Sequence, residues 1–184
     1  MVKKQRKFSE GLLDDDKILA NLNIRAGQTI LDAGCGNGYM ALKFSKRVGI
    51  SGKVYAFDID EGFIANLKKE VAQSNIVALV ADVTQPTVLQ SASIDLAYLS
   101  TVFHIFSDAR IDGFVKEMKR VLKPGALLAV VNMNKEDTPF GPPVEIRSSP
   151  EELVQRLPFA PRRLIAVGEH FYMQVFENAC SEKS

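Results

Sequence analysis

The chain has 184 residues, of which 46% are hydrophobic and 24% charged, so at about 100–200 residues per domain we expect one folded domain rather than a disordered chain. Lys and Arg number 23 against 22 Asp and Glu, a formal net charge of +1, which disfavours nucleic acid or an anionic membrane as a partner held by charge. No apolar run approaches the roughly 18 residues of a membrane span, and the basic start lacks the apolar segment of a signal peptide, so we expect a soluble, cytoplasmic protein.

Helical and strand patterns alternate along most of the chain. Residues 1–12 are polar and basic and predict a flexible arm, residues 13–178 predict the folded domain, and residues 179–184 predict a flexible tail. Apolar residues at helical spacing predict helices over residues 14–23, 39–48, 61–73, 108–122 and, behind a capping box, 149–157. Apolar runs bounded by turn residues predict strands over residues 29–33, 53–59, 76–81, 94–99, 126–133, 163–167 and 171–176.

The order of these elements predicts the fold class. Strands such as IVALVA and ALLAVV are apolar throughout, as is typical of parallel strands covered on both faces by helices. The last two strands are separated only by residues 168–170, a link that permits only an antiparallel hairpin. We therefore predict a single α/β, Rossmann-like doubly wound domain, with a mostly parallel seven-stranded sheet and an antiparallel C-terminal hairpin.

The most informative segment joins the first predicted strand to the second helix and reads ILDAGCGNGY over residues 30–39. A parallel sheet binds ligands at this place, at the carboxyl end of a strand beside a helix N-terminus. Asp58 ends the next predicted strand, 20 residues after Gly38. A carboxylate there can accept hydrogen bonds from both hydroxyls of a ribose. The segment therefore predicts a ribose-bearing cofactor rather than a simple tight turn.

The spacing of the glycines separates the candidate cofactors. A dinucleotide fingerprint has its third glycine where this chain has Tyr39, which disfavours a nicotinamide cofactor. Asp32 stands two residues before Gly34, where its charge would repel a pyrophosphate but attract the ammonium group of an amino acid. No Gly-Lys-Ser/Thr follows the glycines, so the phosphate-binding loop of an NTPase is excluded. The pattern favours S-adenosylmethionine, which carries an ammonium group and a ribose but no phosphate.

The chain resembles the class I S-adenosylmethionine-dependent methyltransferases, in particular the small-molecule branch typified by quinone C-methyltransferases and arsenite methyltransferases. LDAGCGNGY resembles the first motif of that family, VYAFDID the strand end with its ribose-binding acid, and ALVADVTQP the segment whose aspartate approaches adenine. IDLAYLSTVFHIF resembles the fourth strand with its loop, and VLKPGALLAVV the turn into the fifth strand. The resemblance covers about residues 14–178, and it implies methyl transfer from S-adenosylmethionine.

The resemblance also implies which residues bind this cofactor. The glycine loop would surround the methionine part, and Ser100 and Thr101 would lie beneath it, facing the methyl group. Asp58 and Ile59 would hold the ribose and pack on the adenine, whose edge would meet Asp82 and the residue after it. The implied cofactor-binding residues are Asp32, Ala33, Gly34, Cys35, Gly36, Gly38, Asp58, Ile59, Asp82, Val83, Ser100 and Thr101.

His104 is the candidate catalytic residue. It follows the fourth predicted strand on the ligand side of the sheet, and an imidazole titrates near neutral pH. A general base is needed only if the acceptor must lose a proton, so His104 could equally serve only to shape the pocket. Phe103, His104 and Phe140 are the residues expected to contact the acceptor, with Phe106 and residues 139–143 as candidate lid and wall.

The absence of certain residues restricts the range of acceptor molecules that we expect. Family members that methylate exocyclic amines of nucleic acids usually carry prolines after the fourth strand, and residues 100–103 have none. Cys35 and Cys180 are the only cysteines, too few to hold arsenite or to form an all-cysteine metal site. His170 is expected to be a solvated turn residue, so no metal site is predicted. A small, fairly apolar molecule is the expected acceptor, and the oligomeric state stays open.

Two other functions stay open. Because the chain has no appended substrate domain, it could be a non-catalytic S-adenosylmethionine-binding sensor or partner subunit. Alternatively, Lys3, Lys4, Arg6 and Lys7 of the arm could touch phosphates and make the protein an RNA methyltransferase. Nothing aromatic beyond Phe8 is interleaved with these cations, which disfavours nucleic acid as a partner.

Overall fold

Helices and strands alternate in the computed structural model, which describes residues 11–72 and 74–179. The strands are β1 (Thr29–Ala33), β2 (Lys53–Asp58), β3 (Ile76–Val80), β4 (Ile94–Ser100), β5 (Leu122–Met133), β6 (Ala160–Gly168) and β7 (Phe171–Glu177). The α-helices are α1 (Asp15–Asn21), α2 (Tyr39–Val48), α3 (Glu61–Glu70), α4 (Asp108–Val121) and α5 (Pro150–Arg156), with short 3₁₀ turns at Phe103–Ile105 and Val144–Ile146. The predicted arm and tail lie outside the described residues except for positions 11, 12 and 179, and the predicted domain boundaries stay a prediction.

All seven strands form one sheet in the order β3-β2-β1-β4-β5-β7-β6. Strands β1 to β5 pair in parallel, and β7 pairs antiparallel with both β5 and β6. This arrangement confirms the predicted α/β fold with an antiparallel C-terminal hairpin. The chain leaves β1 toward β3 and returns to β4 on the other side of β1, so a crevice opens at the carboxyl ends of β1 and β4. Open α/β sheets bind ligands at such a reversal.

Helices cover both faces of the sheet. One core cluster includes Ile18 of α1, Phe44 of α2 and Leu67 of α3, and the other includes Phe114 of α4 and Leu153 of α5. Neighbouring residues of a strand point into opposite clusters because side chains alternate across a sheet. Double-sided burial explains why the central strands are apolar throughout. No helix of the described residues is long and apolar enough to cross a membrane.

The end of α4 differs from the prediction. Lys123-Pro124-Gly125 was expected to separate the helix from a strand beginning at residue 126, but β5 begins at Leu122, directly after α4. The Asn178 side chain donates to the carbonyls of Leu122 and Lys123 at 3.1 and 3.2 Å, and the Gly125 N–H donates to the Asn178 carbonyl at 2.8 Å. These partners lie more than 50 residues away, so a local pattern does not reveal them. By contrast, the predicted capping box of Ser149 and Glu152 at the start of α5 is confirmed.

Candidate functional site

The glycine loop between β1 and α2 forms the floor of the crevice. The N–H groups of Gly34 and Cys35 donate to the Phe57 carbonyl at 2.7 and 2.9 Å, which ties the loop to the end of β2. Gly34 has a φ of +70°, and a Cβ at this position would lie 2.7 Å from Cγ2 of Val102. The backbone therefore turns here in a conformation and a space that only glycine fills without strain.

Asp58, the last residue of β2, links the loop to the crevice. Its Oδ2 accepts the Gly36 N–H at 2.7 Å, and its Oδ1 accepts the Asp60 N–H at 3.0 Å. A carboxylate oxygen can accept two hydrogen bonds, so each oxygen can still accept a ligand hydroxyl. The two backbone bonds fix the carboxylate in place before a ligand arrives.

A cavity of about 220 Å³ opens beside Asp58. It is lined by Gly34, Asp58, Ile59, Ala81, Asp82, Val83, Val102, Ile105, Phe106 and Arg110. The structure thus brings together five of the predicted cofactor-binding residues, from the ends of β1, β2 and β3. Ile59 and Ile105 in this lining are 58% and 52% exposed. A flat, apolar ring system seated in the cavity would cover these two side chains, which favours such a ligand.

Arg110 of α4 is a cavity residue that the sequence analysis missed. Its guanidinium donates to Oδ2 of Asp82 at 3.1 Å and lies 5.2 Å from the centre of the Phe106 ring. Burial disfavours the charged form of Asp82, but hydrogen bonds from Thr84 and the charge of Arg110 outweigh it, so the pKa of Asp82 lies below its ordinary value. The sequence contained one signal for the special position of Arg110, because acidic rather than basic residues are preferred in the first turn of a helix.

Replacing Arg110 with methionine should weaken binding of S-adenosylmethionine about three- to tenfold. Asp82 and Arg110 are each about a third exposed, so we expect roughly 1 kcal/mol from an ion pair that solvent partly screens. Titration calorimetry with the cofactor measures the effect, and Lys116→Met, an exposed cation on the same helix, is the matched control. Tighter binding by Arg110→Met would show instead that the guanidinium competes with the ligand for Asp82.

Buried polar groups lie near the carboxyl ends of β1 and β4, the strands at which the crevice opens. Asp32 lies on β1 opposite Tyr98 of β4, and both residues are fully buried, as is Ser100 at the end of β4. Burial raises the pKa of the Tyr98 hydroxyl, and the negative charges of Asp32 and Asp15 raise it further. Tyr98 is therefore neutral at every physiological pH. Carboxylate and hydroxyl groups are thus combined near these strand ends. Such groups suit the ammonium group of an amino acid.

Helix α1 is attached to α2 through Asp15. The Tyr39 hydroxyl donates to the Asp15 carboxylate, and Nζ of Lys43 lies 3.4 Å from the same carboxylate.

Ala33 and Cys35 are buried in the core, so only their backbone groups are available to a ligand. A contact of either residue with the predicted cofactor would therefore be made by backbone groups, and the Cys35 N–H already donates to the Phe57 carbonyl.

A second cavity, of about 380 Å³, lies beside the crevice and is lined by Thr101, His104, Met133, Gly141 and Pro142. Thr101 has a φ of +57°, a strained conformation for a β-branched residue, and its N–H donates to the Val131 carbonyl at 2.8 Å. Strained backbone persists where the surrounding structure holds it, often at functional sites. This cavity is the candidate acceptor site.

His104 is half-buried in the wall of the second cavity. Burial lowers its pKa from the ordinary value, and the positive charge of Arg147 lowers it further. The imidazole is therefore neutral at pH 7 and able to accept a proton, which is the state a general base needs.

Two residues predicted to contact the acceptor, Phe103 and Phe140, and the lid candidate Phe106 do not line the second cavity. Phe103 is 1% exposed and packs in the core against Phe106, so its ring does not face the second cavity. Phe140 packs its ring against His170 and Phe171, and His170 is correspondingly less solvated than expected. Phe106 lines the first cavity rather than the second. Of the residues predicted to touch the acceptor, His104 is the one placed in the second cavity, together with Gly141 and Pro142 of the predicted wall.

Met133 and Arg147 were missed as residues of this region. Met133 ends β5, and only the strand order places it beside Thr101 and His104. Arg147 lies in an aperiodic, proline-containing segment that gives no local signal of burial.

Within the described residues, no group of three or more His, Cys, Asp or Glu side chains is placed to hold a metal ion.

Comparison with known proteins is consistent with this geometry. A family model described as a methyltransferase domain matches residues 30–125 of this chain. The chain is 29% identical over 130 residues to the ubiquinone/menaquinone biosynthesis C-methyltransferase UbiE of Laribacter hongkongensis, covering 71% of this chain and 53% of that protein. It is 28% identical over 123 residues to the demethylmenaquinone methyltransferase of Staphylococcus aureus, covering 67% and 50%. The chain thus spans about half the length of these curated relatives.

A solved structure is similar over nearly the whole chain. A SAM-dependent methyltransferase from Aquifex aeolicus superposes with a TM-score of 0.84 at 29% identity, covering 94% of each chain.

Proposed function

Because this chain belongs to the class I S-adenosylmethionine-dependent methyltransferases, we propose that it transfers the methyl group of S-adenosylmethionine to a small, fairly apolar acceptor. One observation carries the proposal: a mostly apolar cavity lies directly beside the crevice at the carboxyl ends of β1 and β4. Thr101 and His104 follow β4 and line that cavity, while Gly34 and Asp58 line the neighbouring one. The two cavities therefore suit an acceptor and a cofactor side by side.

The residues present fit the cofactor. Asp58 offers acceptor oxygens suited to the two ribose hydroxyls, and the exposed Ile59 and Ile105 suit an adenine ring. Asp32 supplies a buried negative charge at the opposite end for the ammonium group. When bound, S-adenosylmethionine supplies a methyl group on a sulfonium, an electrophile that needs no further activation by the protein.

The protein's own contribution is orientation and proton removal. The walls of the second cavity exclude water and hold the acceptor close to the crevice, and orientation of this kind can lower a barrier by several kcal/mol. If the acceptor atom carries a proton, Nδ1 or Nε2 of His104 would accept it as the acceptor forms its bond to the methyl carbon, and the electron pair of the broken sulfur–methyl bond would stay on the sulfur of the demethylated product. The names of the relatives include quinone C-methyltransferases, so a hydroquinone ring is one acceptor class that this cavity would suit.

Binding and turnover test the proposal separately. Calorimetry should show S-adenosylmethionine and its demethylated product each binding once per chain. Transfer of a labelled methyl group is then measured on a panel of phenols, naphthohydroquinones and small RNA hairpins. Absence of cofactor binding would overturn the proposal. Cofactor binding without transfer would favour a sensor or partner subunit, and transfer to RNA alone would favour the RNA enzyme. The predicted cytoplasmic location stays a prediction.

His104→Gln should lower kcat about a hundredfold or more on an acceptor that must lose a proton, the range typical of a lost general base. In the wild type the rate should rise with pH through the pKa of His104, below the ordinary histidine value, and stay level at neutral pH, because the neutral imidazole is the active form. His170→Gln is the matched control and should leave both rate and profile unchanged. If the two variants behave alike, His104 only shapes the cavity.

A further inference from the structure

Arg147 stands out because it is a buried cation held by neutral groups. It is 5% exposed, and among the described residues no carboxylate forms an ion pair with it. Its guanidinium instead makes five hydrogen bonds, all to the segment that precedes it: to the carbonyls of Asn134, Glu136, Phe140 and Pro142 and to the hydroxyl of Thr138. These bonds use all five N–H donors of the side chain.

The bonded segment, residues 134–142, contributes its last two residues to one wall of the second cavity. Nε of Arg147 donates to the Pro142 carbonyl at 2.8 Å, and both Pro142 and Gly141 line the cavity. Gly141 lies directly against Met133, since a Cβ at position 141 would stand 2.4 Å from Sδ of Met133. The wall is thus built from β5 and from a loop that has no regular secondary structure to hold it.

The proposal that follows rests on the proposed function. We propose that Arg147 is the positioning residue of the acceptor site, whose buried guanidinium fixes residues 134–142 as a preformed wall beside His104. Burying a cation without a counter-ion is costly, and five hydrogen bonds offset that cost only while the loop keeps this shape. Arg147 therefore holds the segment that the sequence suggests as a lid in place before an acceptor binds. The segment does not have to close over the acceptor.

The charge of Arg147 also acts on His104. A neighbouring cavity of about 370 Å³ brings His104 together with the charged groups Lys135, Glu145, Arg147, Glu152 and Arg156. Lys135 and Glu152 bind each other at 2.6 Å, and Arg156 binds Asp108. Glu145 is exposed, so solvent screens its charge. Arg147 is buried, so its charge is screened less and acts more strongly on the imidazole of His104. The same side chain thus shapes the wall and disfavours protonation of the base.

Two variants of Arg147 separate its geometry from its charge. Arg147→Gln removes both, so the amides at the two ends of this loop, at positions 134, 146 and 147, whose N–H groups donate to backbone carbonyls, should exchange about ten- to a hundredfold faster, and the pKa of His104 should move up toward its ordinary value. Arg147→Lys keeps the charge but loses the planar fork, so exchange should accelerate while the pKa of His104 rises less than in Arg147→Gln. Hydrogen exchange with mass spectrometry measures the loop, and a proton NMR titration, assigned with His104→Gln, measures the imidazole.

A control variant and a binding measurement separate a failure of this proposal from a failure of the proposed function. Arg163→Gln removes an exposed cation on β6 and should change neither readout. Binding of S-adenosylhomocysteine should be retained in all variants, because Arg147 lines neither the crevice nor the first cavity. Loss of that binding in the wild type would contradict the proposed function, whereas unchanged loop exchange in Arg147→Gln would overturn the role of Arg147. Faster exchange with no movement of the His104 pKa would also overturn it, since that is the behaviour of a merely structural residue.

A milder variant decides the matter if Arg147→Gln fails to fold. Thr138→Val removes one hydrogen bond from the guanidinium, at 2.8 Å in the wild type, and leaves the charge in place. Loop exchange should then accelerate by a few-fold to about tenfold with the pKa of His104 unmoved. Unchanged exchange in Thr138→Val would overturn the proposal.

Discussion

Asp58→Ala should weaken binding of S-adenosylmethionine about a hundredfold or more. The carboxylate is expected to accept both ribose hydroxyls, and each hydrogen bond to a charged group contributes about 1.5–3 kcal/mol. The substitution also removes the acceptor of the Gly36 N–H, which lies 2.7 Å from Oδ2 in the wild type. The glycine loop would then lose one of the contacts that tie it to β2, which adds to the loss of affinity, while the bonds of Gly34 and Cys35 to the Phe57 carbonyl remain. Titration calorimetry with the cofactor and its demethylated product measures the effect.

Asp60→Ala is the matched control for this prediction. Asp60 lies two residues away and caps α3, where its Oδ1 accepts the Phe63 N–H at 2.9 Å. Removing a helix cap costs about 1 kcal/mol of stability, but it should leave cofactor affinity within about twofold of the wild type. Equal weakening by the two substitutions would contradict the assignment of Asp58 to the ribose and indicate a general effect of charge.

Gly113→Ala should destabilise the protein by about 2–3 kcal/mol, although alanine is ordinarily the better helix residue by about 1 kcal/mol. Gly113 lies within α4, and a Cβ there would stand 2.1 Å from the Thr84 carbonyl oxygen. A backbone oxygen cannot rotate away, so either the helix or the segment carrying Asp82 and Val83 must shift. Because both residues line the first cavity, cofactor affinity should also fall about tenfold for a shift of this kind. Urea unfolding and calorimetry measure the two effects.

Gly62→Ala provides the comparison. Gly62 is an exposed helical glycine in α3, and a Cβ there would meet only Oδ1 of Asp60, at 3.1 Å, the oxygen that accepts the Phe63 N–H and would have to shift by a few tenths of an ångström at most. This substitution should raise the free energy of unfolding by up to about 1 kcal/mol and leave cofactor binding unchanged. If both substitutions changed stability in the same direction, the close approach of α4 to Thr84 would not be the cause.

The boundaries of most elements could be predicted because their causes are local. β1 and α2 have the predicted bounds, and α5 begins with the predicted capping box. Apolar spacing, capping residues and glycines act within a few residues of each other, so a single stretch of chain contains the whole cause. The start of β5 at Leu122 differs because Asn178, far along the chain, holds that turn in the sheet.

The crevice was predictable for a similar reason. Asp32, Gly34 and Asp58 stand at fixed distances from strand ends, and parallel strands bring their carboxyl ends to one edge of the sheet. Strand order alone therefore places these residues together. Their roles toward the cofactor stay predictions that the experiments above address.

The sequence by itself determined the α/β pattern, the glycine loop and the carboxylate expected to hold the ribose, since each depends on spacing within a short segment or on one strand connection. Only the tertiary structure formed the second cavity, which is the proposed acceptor site. Met133, Gly141 and His104 meet there because β5 lies next to β4 and because Arg147 draws the loop inward with five hydrogen bonds. Neither the neighbour of a strand nor the partners of a buried guanidinium are encoded in local periodicity. They follow from how separate segments satisfy one another's hydrogen bonds and packing in the folded protein.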